Sequence, residues 1–380
     1  MNAAGWIVTA VGVSLLGLVS LDVYFTILHS RGRSGPVTEM LIRVVWRLAR
    51  GAAFRRSRQG RHRLLNHVGP LLLPGTVATL VGLIITGYAL LYFPHLPQDF
   101  NVEEKARSPR AVEALYFSGI TFTTLGYGDI SPRSTPMRLL ALSEALTGFG
   151  FISLAVTYLV SLTAALERKR IVALSFYHQA RQGADVAGLL IHHFVGGRFV
   201  GLDRIFAEAA RDLQALLESH FEHPLVHYFH PPQVHKSLPR MLFLVLEVCA
   251  VTRACLDREA YDQLRQHPEL RTLEETARHV LSELATAVGV GRGTAIAEDE
   301  PGREGVPTLE EPARWRQRYE DTLRQLKGAA VHPPSDPEAG WREYRRRRHG
   351  WELELASFAL YLGYDWDEVT GDGGLRVAAD

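Results

Sequence analysis

The sequence predicts an all-α membrane protein: three transmembrane helices, a re-entrant loop between the second and third, and a helical cytoplasmic domain after them. Three observations predict it. Residues 6–28, 71–93 and 139–166 are apolar stretches that meet the roughly 20 residues a helix needs to cross a bilayer. The near-neutral whole divides unevenly, with 18 Lys and Arg against 9 Asp and Glu in residues 1–170 and 24 against 32 in the remainder, so an apolar, arginine-bearing half precedes a polar, slightly acidic one. Between the second and third stretches lies Thr-Phe-Thr-Thr-Leu-Gly-Tyr-Gly-Asp-Ile-Ser-Pro, residues 121–132, a glycine-punctuated loop.

The first stretch has no basic residues before it, is too long for a signal peptide, and is followed by arginines instead of a small-residue cleavage site, so a retained helix is expected. The loop after it carries Arg31, Arg33, Arg43, Arg47, Arg50, Arg55, Arg56, Arg58, Arg61 and Arg63, whereas residues 94–110 balance three basic against three acidic side chains. The arginine-rich loop is therefore expected in the cytoplasm and the N-terminus outside. The second helix then runs outward, and the third returns to Glu167-Arg168-Lys169-Arg170 at the inner face. Residues 41–65 read as an interfacial helix drawn to anionic inner-leaflet lipids. A voltage-sensing helix is excluded because it needs further spans to shield its arginines, and one helix precedes this loop. Asp22, near the cytoplasmic end of the first helix, is expected to snorkel or to pair with the loop arginines.

The loop Thr124-Leu125-Gly126-Tyr127-Gly128 is built for backbone chemistry. Gly126 and Gly128 tolerate positive φ at little cost, and the resemblance of this segment to a potassium channel filter implies that carbonyl oxygens from Thr124 to Gly128 face one axis and replace the hydration shell of a dehydrating cation, with the Thr124 hydroxyl adding an oxygen at the inner end. The segment resembles the filter of the potassium channel family, Thr-Val/Ile-Gly-Tyr-Gly-Asp, with Leu125 as its one departure, apolar for apolar. In that family this side chain points away from the ion path.

The resemblance covers residues 70–166 and implies K⁺ as the permeant ion, no organic cofactor, and a homotetramer, since one loop per chain requires four chains around a pore. It implies a pore helix over 109–122, an aromatic pair Tyr116 and Phe117 packed around the filter, and filter support from Thr123 and Asp129. Gly148 stands at the family's hinge position, twenty residues beyond Gly128; the alternative is close helix packing through a small residue. Ile152, Val156 and Val160 share a helical face with it and would line the cavity or its gate. Glu144 is an ionisable residue at membrane depth, expected to face the ion path or the back of the filter; the competing reading is that it is protonated and only holds the pore helix by hydrogen bonding.

From residue 171 onward the apolar spacing is helical, over 202–221, 238–255 and 272–288, with a Pro/Gly/Glu-rich linker near 289–307. Residues 241–251 are too short to span a bilayer and, with Glu247 among them, read as a buried core helix. Gly289-Val290-Gly291-Arg292-Gly293 follows a helix and leads into an acidic linker, so it is a connector and not a phosphate loop. Nothing resembles a nucleotide-binding domain. Cys249 and Cys255 match no zinc spacing and are expected as reduced core thiols. His220, His223, His227 and His230 could converge on Zn²⁺ or sense protons, although Pro224, Pro231 and Pro232 break the helix among them; scattered surface or core histidines are the competing reading. Arg345 to Arg348 are expected on a solvated helix face.

The expected division is 1–30 an N-terminal transmembrane helix, 31–69 a basic cytoplasmic or interfacial segment, 70–166 a pore domain and 167–380 a cytoplasmic regulatory domain whose ligand the sequence does not name. The expected protein is not an enzyme and binds no nucleic acid. It is a K⁺ channel of the prokaryotic plasma membrane, with a potassium transporter subunit or a ligand-sensing signalling protein with a vestigial pore as alternatives.

Overall fold

The apolar stretches fold as helices, and the helices run well past them. A computed structural model of the chain describes residues 3–28, 34–103, 108–179, 186–290 and 312–371. Arg31, Arg33 and the linker beyond Val290 lie outside the described residues. Among those described, three helical segments are long and apolar enough to cross a membrane: Ala3–Leu28, Arg58–His95 and Thr135–Ser175. The elements in chain order begin with α1 (Ala3–Val23), α2 (Pro36–Ala53), α3 (Arg58–Tyr92), β1 (Phe100–Val102), α4 (Arg110–Phe122), β2 (Ile130–Pro132) and α5 (Thr135–Gln179). They continue as α6 (Val186–His192), β3 (Phe194–Val195), β4 (Arg198–Phe199), α7 (Leu202–Glu222), α8 (Leu238–Ala254), α9 (Asp262–Arg265), α10 (Pro268–Ala287), α11 (Pro312–Gly328), α12 (Pro337–His349), α13 (Glu352–Tyr361) and α14 (Trp366–Thr370).

Two units divide the chain, one of Met1–Val45, Pro70–Ala164 and Phe221–Leu225, the other of Trp46–Gly69, Ala165–His220 and Val226–Asp380. In the first unit, α1 approaches α3 at a pair of small residues: a side chain at Gly12 would meet the Gly87 carbonyl at 2.9 Å, the close approach that small residues permit between membrane helices. Leu80, Ile84, Tyr92, Phe100, Ala114, Phe117, Phe122 and Phe151 form the centre of its core. The short strands β1 and β2 pair antiparallel, Phe100 with Pro132 and Val102 with Ile130. The Arg133 amide donates to the Asp99 carbonyl at 2.8 Å and the Glu103 amide to that of Asp129 at 2.9 Å. This hairpin closes the neck of the loop that contains α4, and no sequence signal announced it because three-residue strands carry too little periodicity.

Asp22 corrects its expected role. It is fully buried, and its carboxylate accepts from the backbone amides of Val37 at 2.6 Å and Thr38 at 3.1 Å and from the Thr38 hydroxyl at 2.5 Å. It therefore caps the start of α2, satisfying amides that a helix N-terminus leaves without intrahelical partners, and among the described residues it pairs with no arginine.

The second unit is helical, as expected, and residues 46–69 belong to it. The interfacial helix expected over 41–65 is instead two helices, α2 ending at Ala53 and α3 starting at Arg58. Trp46 is buried against Tyr228 and Tyr361, with ring centroids at 5.2 and 6.3 Å. The Arg50 guanidinium lies over Phe54 and Tyr361. Arg58 pairs with Asp365 at 2.6 Å and Asp367 at 2.9 Å, and Arg61 with Asp365 at 2.6 Å. Arg50 and Arg61 are thus folded protein interior, Arg61 neutralised by Asp365; Arg43, Arg47, Arg55, Arg56, Arg58 and Arg63 stay exposed.

Helix α8 is the hub of this unit and nearly every residue of it is buried. Glu247 on it accepts from the Tyr344 hydroxyl at 2.5 Å and pairs with Arg348 at 3.3 Å, and Arg348 reaches Glu352 at 2.8 Å. The basic run of α12 is therefore only partly solvated: Arg345 and Arg346 are exposed, Arg347 pairs with Glu274, and Arg348 is 0% exposed. Burying that charge is tolerable because two carboxylates and the faces of Phe243, Trp315, Tyr344 and Trp351 surround it. Cys249 and Cys255 are buried free thiols.

Candidate functional site

The site is assembled from α4 and the loop behind it. Pro109 precedes the first turn, where its missing N–H costs nothing, and α4 ends at Phe122. The chain then folds back on the helix end: the amides of Leu125 and Gly126 both donate to the Ile120 carbonyl, at 2.9 and 3.3 Å, and the Thr124 amide to Thr121 at 3.0 Å. Thr123 donates its hydroxyl to the Gly119 carbonyl at 2.7 Å. Beyond it the backbone alternates in hand, with positive φ at Thr124 (58°), Gly126 (53°) and Gly128 (85°). Alternation of this kind turns consecutive peptide units to a common side, the backbone condition for a row of oxygens. The side chains of Leu125 and Tyr127 are 58% and 70% exposed in the single chain.

Tyr116 and Phe117 separate in role. The Tyr116 hydroxyl donates to Asp129 at 2.8 Å, tying α4 to the residue after Gly128. Phe117 turns to the other side and is buried against Tyr92 and Phe100, with centroids at 4.9 and 5.1 Å. The two side chains point apart because adjacent helical side chains diverge by about 100°.

Glu144 is fully buried and faces the back of α4. Its carboxylate accepts from the Tyr92 hydroxyl at 2.8 Å and lies 2.5 Å from the Ser118 hydroxyl. Of its expected orientations, the structure has the one behind α4, where it is hydrogen-bonded. One turn on, Gly148 lies directly against the Phe122 carbonyl oxygen, leaving no room for a Cβ. Ile152, Val156 and Val160 share an exposed face of α5. Tyr92 and Ser118 were missed by sequence reasoning; the usable signal was Glu144 itself, because a buried acid in an apolar span requires hydroxyl or amide partners.

The four histidines do not converge. His220 and His227 touch, with ring centroids 4.7 Å apart, while the His223 ring meets Tyr158 at 5.3 Å and His230 is hydrogen-bonded to His62. Among the described residues no group of three or more His, Cys, Asp or Glu side chains is placed to hold a metal ion. Their surroundings favour the neutral imidazole. Burial foremost, with Lys169 adding repulsion, pushes His227 down to about 3. Burial and then His62 push His230 to about 3, and burial and then His227 hold His220 well below its ordinary value. Elsewhere in the second unit a cavity of about 710 Å³ is lined by Phe243, Glu247, Arg314, Arg318, Asp321 and Asp367 among others.

Comparison with known proteins places residues 76–165 in the ion channel family model. An uncharacterized membrane protein of Bacillus subtilis (strain 168), YdjJ, is 29% identical over 323 residues, covering 83% of this chain and 89% of its own. Two pore potassium channel b of Oryza sativa subsp. japonica is 35% identical over 30% of this chain and 35% of its own length. Two-pore potassium channel 3 of Arabidopsis thaliana is 41% identical over 15% and 13%. The chain thus matches only about a third or less of those channels' length, while the likeness to the Bacillus protein extends over most of both chains. No solved structure matches.

Proposed function

We propose that the chain is a subunit of a K⁺-selective channel, a homotetramer in a prokaryotic plasma membrane with the N-terminus outside and the second unit in the cytoplasm. The observation that carries this reading is the alternation of hand at Thr124, Gly126 and Gly128 in a loop flanked by spanning helices and pinned at its neck by the β1–β2 hairpin. Carbonyls from Thr124 to Gly128, repeated in four chains, coordinate the dehydrated ion. The aligned peptide dipoles of α4 present their negative end beside it. The exposed face of Ile152, Val156 and Val160 forms an apolar gate that closes by dewetting, with Gly148 as its hinge. Exposed Arg43, Arg47, Arg55 and Arg56 meet anionic inner-leaflet lipids. The second unit regulates opening, and its 710 Å³ cavity is of a size that takes small ligands.

Full-length protein reconstituted in liposomes tests the reading. It should dissipate a K⁺ gradient and leave a Na⁺ gradient standing; equal passage of both ions, or of neither, contradicts it.

A further inference from the structure

Two residues one helical turn apart on α5 meet two residues one helical turn apart on α4. Glu144 reaches Ser118 at 2.5 Å, and Gly148 abuts the carbonyl of Phe122. Between these contact points sits Ile120, whose carbonyl receives the amides of Leu125 and Gly126. The filter loop therefore hangs from the stretch of α4 that α5 holds at both ends.

From this ladder we infer that Glu144 is a positioning residue for the filter, fixing the depth and rotation of α4 on which the carbonyl row depends; the inference rests on the channel reading above. The Glu144 side chain joins three helices. One oxygen accepts from Tyr92 on α3, the other meets Ser118 on α4, and the Ser118 hydroxyl also lies 2.9 Å from the Ile85 carbonyl of α3. All of this occurs within an apolar core, where polar groups are held to their partners because no solvent competes. Apolar packing alone lets helices slide or rotate with little penalty, whereas a polar knot with directional bonds specifies one register. Gly148 permits the close approach, and Glu144 sets where along α4 it happens.

Replacement by Gln preserves the geometry: its carbonyl accepts from Tyr92 and its amide donates to Ser118, leaving the Ser118 proton for Ile85. Ala removes both bonds: the buried Tyr92 hydroxyl loses its acceptor, and Ser118 is left with the Ile85 carbonyl of α3 alone. The experiment is K⁺ and Na⁺ flux in liposomes for full-length wild type, Glu144→Ala, Glu144→Gln, Ser118→Ala and Tyr92→Phe, with assembly in detergent measured alongside. In Glu144→Ala the K⁺ over Na⁺ preference should fall roughly tenfold, the scale of one lost buried hydrogen bond. It should return in Glu144→Gln and fall by a smaller factor in Ser118→Ala and Tyr92→Phe. An assembled Glu144→Ala protein with wild-type preference overturns the inference, and so does a Gln variant no better than Ala. Should the Ala variant not assemble, unchanged preference in both Ser118→Ala and Tyr92→Phe overturns it equally. A wild type without K⁺ selectivity strikes the channel reading instead, so the two failures are distinguishable.

Discussion

His62 on α3 and His230 stand in one buried hydrogen-bonded chain, His62 Nδ1 being 2.8 Å from His230 Nε2. At one end the His230 Nδ1 proton is committed to the Leu362 carbonyl at 3.0 Å, so its Nε2 accepts and His62 Nδ1 donates. At the other end His62 Nε2 lies 3.0 Å from Glu368. With Arg58 and Arg61 on Asp365, this chain ties the first turns of α3 to the last described residues, and every group in it belongs to the second unit.

The second unit should be acid-labile. His220, His227 and His230 are all held below the ordinary imidazole value by burial, so between about pH 6.5 and their folded values the unfolded chain binds protons that the folded chain does not. Stability then falls as pH falls, by ~1.4 kcal/mol per pH unit for each histidine. Asp365 and Glu368 act in the same direction: burial raises them, but Arg61 and Arg58 for Asp365 and His62 for Glu368 hold them net below the usual carboxylate range, a contribution lost as pH drops through their folded values. The unfolding midpoint in detergent should decline from pH 6.5 to 4.5, and His227→Gln should make the decline shallower by about one proton's worth. A midpoint flat over that range contradicts the burial of these rings.

Much of this architecture was legible in the sequence because its signals are local. Twenty-residue apolar runs and a Gly-Tyr-Gly loop announce themselves without tertiary information, and the helix over 241–251 was read as core from length and Glu247 alone. What escaped depends on pairs far apart in the chain. Arg58 and Arg61 find Asp365, Arg348 finds Glu247, and Asp22 finds the amides of Val37 and Thr38; a charge read singly looks like a surface charge. The histidines show the same limit: the prolines among them argued against a common site, but nothing near His230 in the sequence pointed to a partner 168 positions away.

Asp22→Ala should destabilise the first unit by about 1–2 kcal/mol, the cost of losing a helix cap and leaving buried amides without an acceptor. Asp22→Asn, which keeps one accepting oxygen, should lose less. Thermal unfolding of the full chain in detergent checks both, and equal stability of wild type and Asp22→Ala contradicts the capping role.

Gly126→Ala should remove K⁺ selectivity while leaving membrane insertion and assembly intact. The glycine has a φ of +53°, a conformation that costs a side-chain-bearing residue about 1–2 kcal/mol, and no neighbour within the chain lies close enough to the added methyl to oppose it sterically. Strain alone then drives the peptide unit to flip and aim its oxygen elsewhere. Retained K⁺ over Na⁺ preference in liposome flux contradicts this.

Gly148→Ala and Gly150→Ala separate packing from hinge. Both glycines lie in the continuous helix α5, and alanine at either position favours the helical backbone by roughly 0.5–1 kcal/mol. At Gly150 the new methyl meets nothing within 4 Å in the chain, whereas at Gly148 it runs into the Phe122 carbonyl, which is backbone and cannot swing aside. If the Phe122 contact dominates, Gly148→Ala should push α4 off α5 and lower ion selectivity, with Gly150→Ala close to wild type. Single-channel recording gives both readouts for each variant. A Gly148→Ala channel with unchanged selectivity and reduced open probability would assign the glycine to bending instead, because helix flexibility alters how often the pore opens without moving the oxygens that choose the ion.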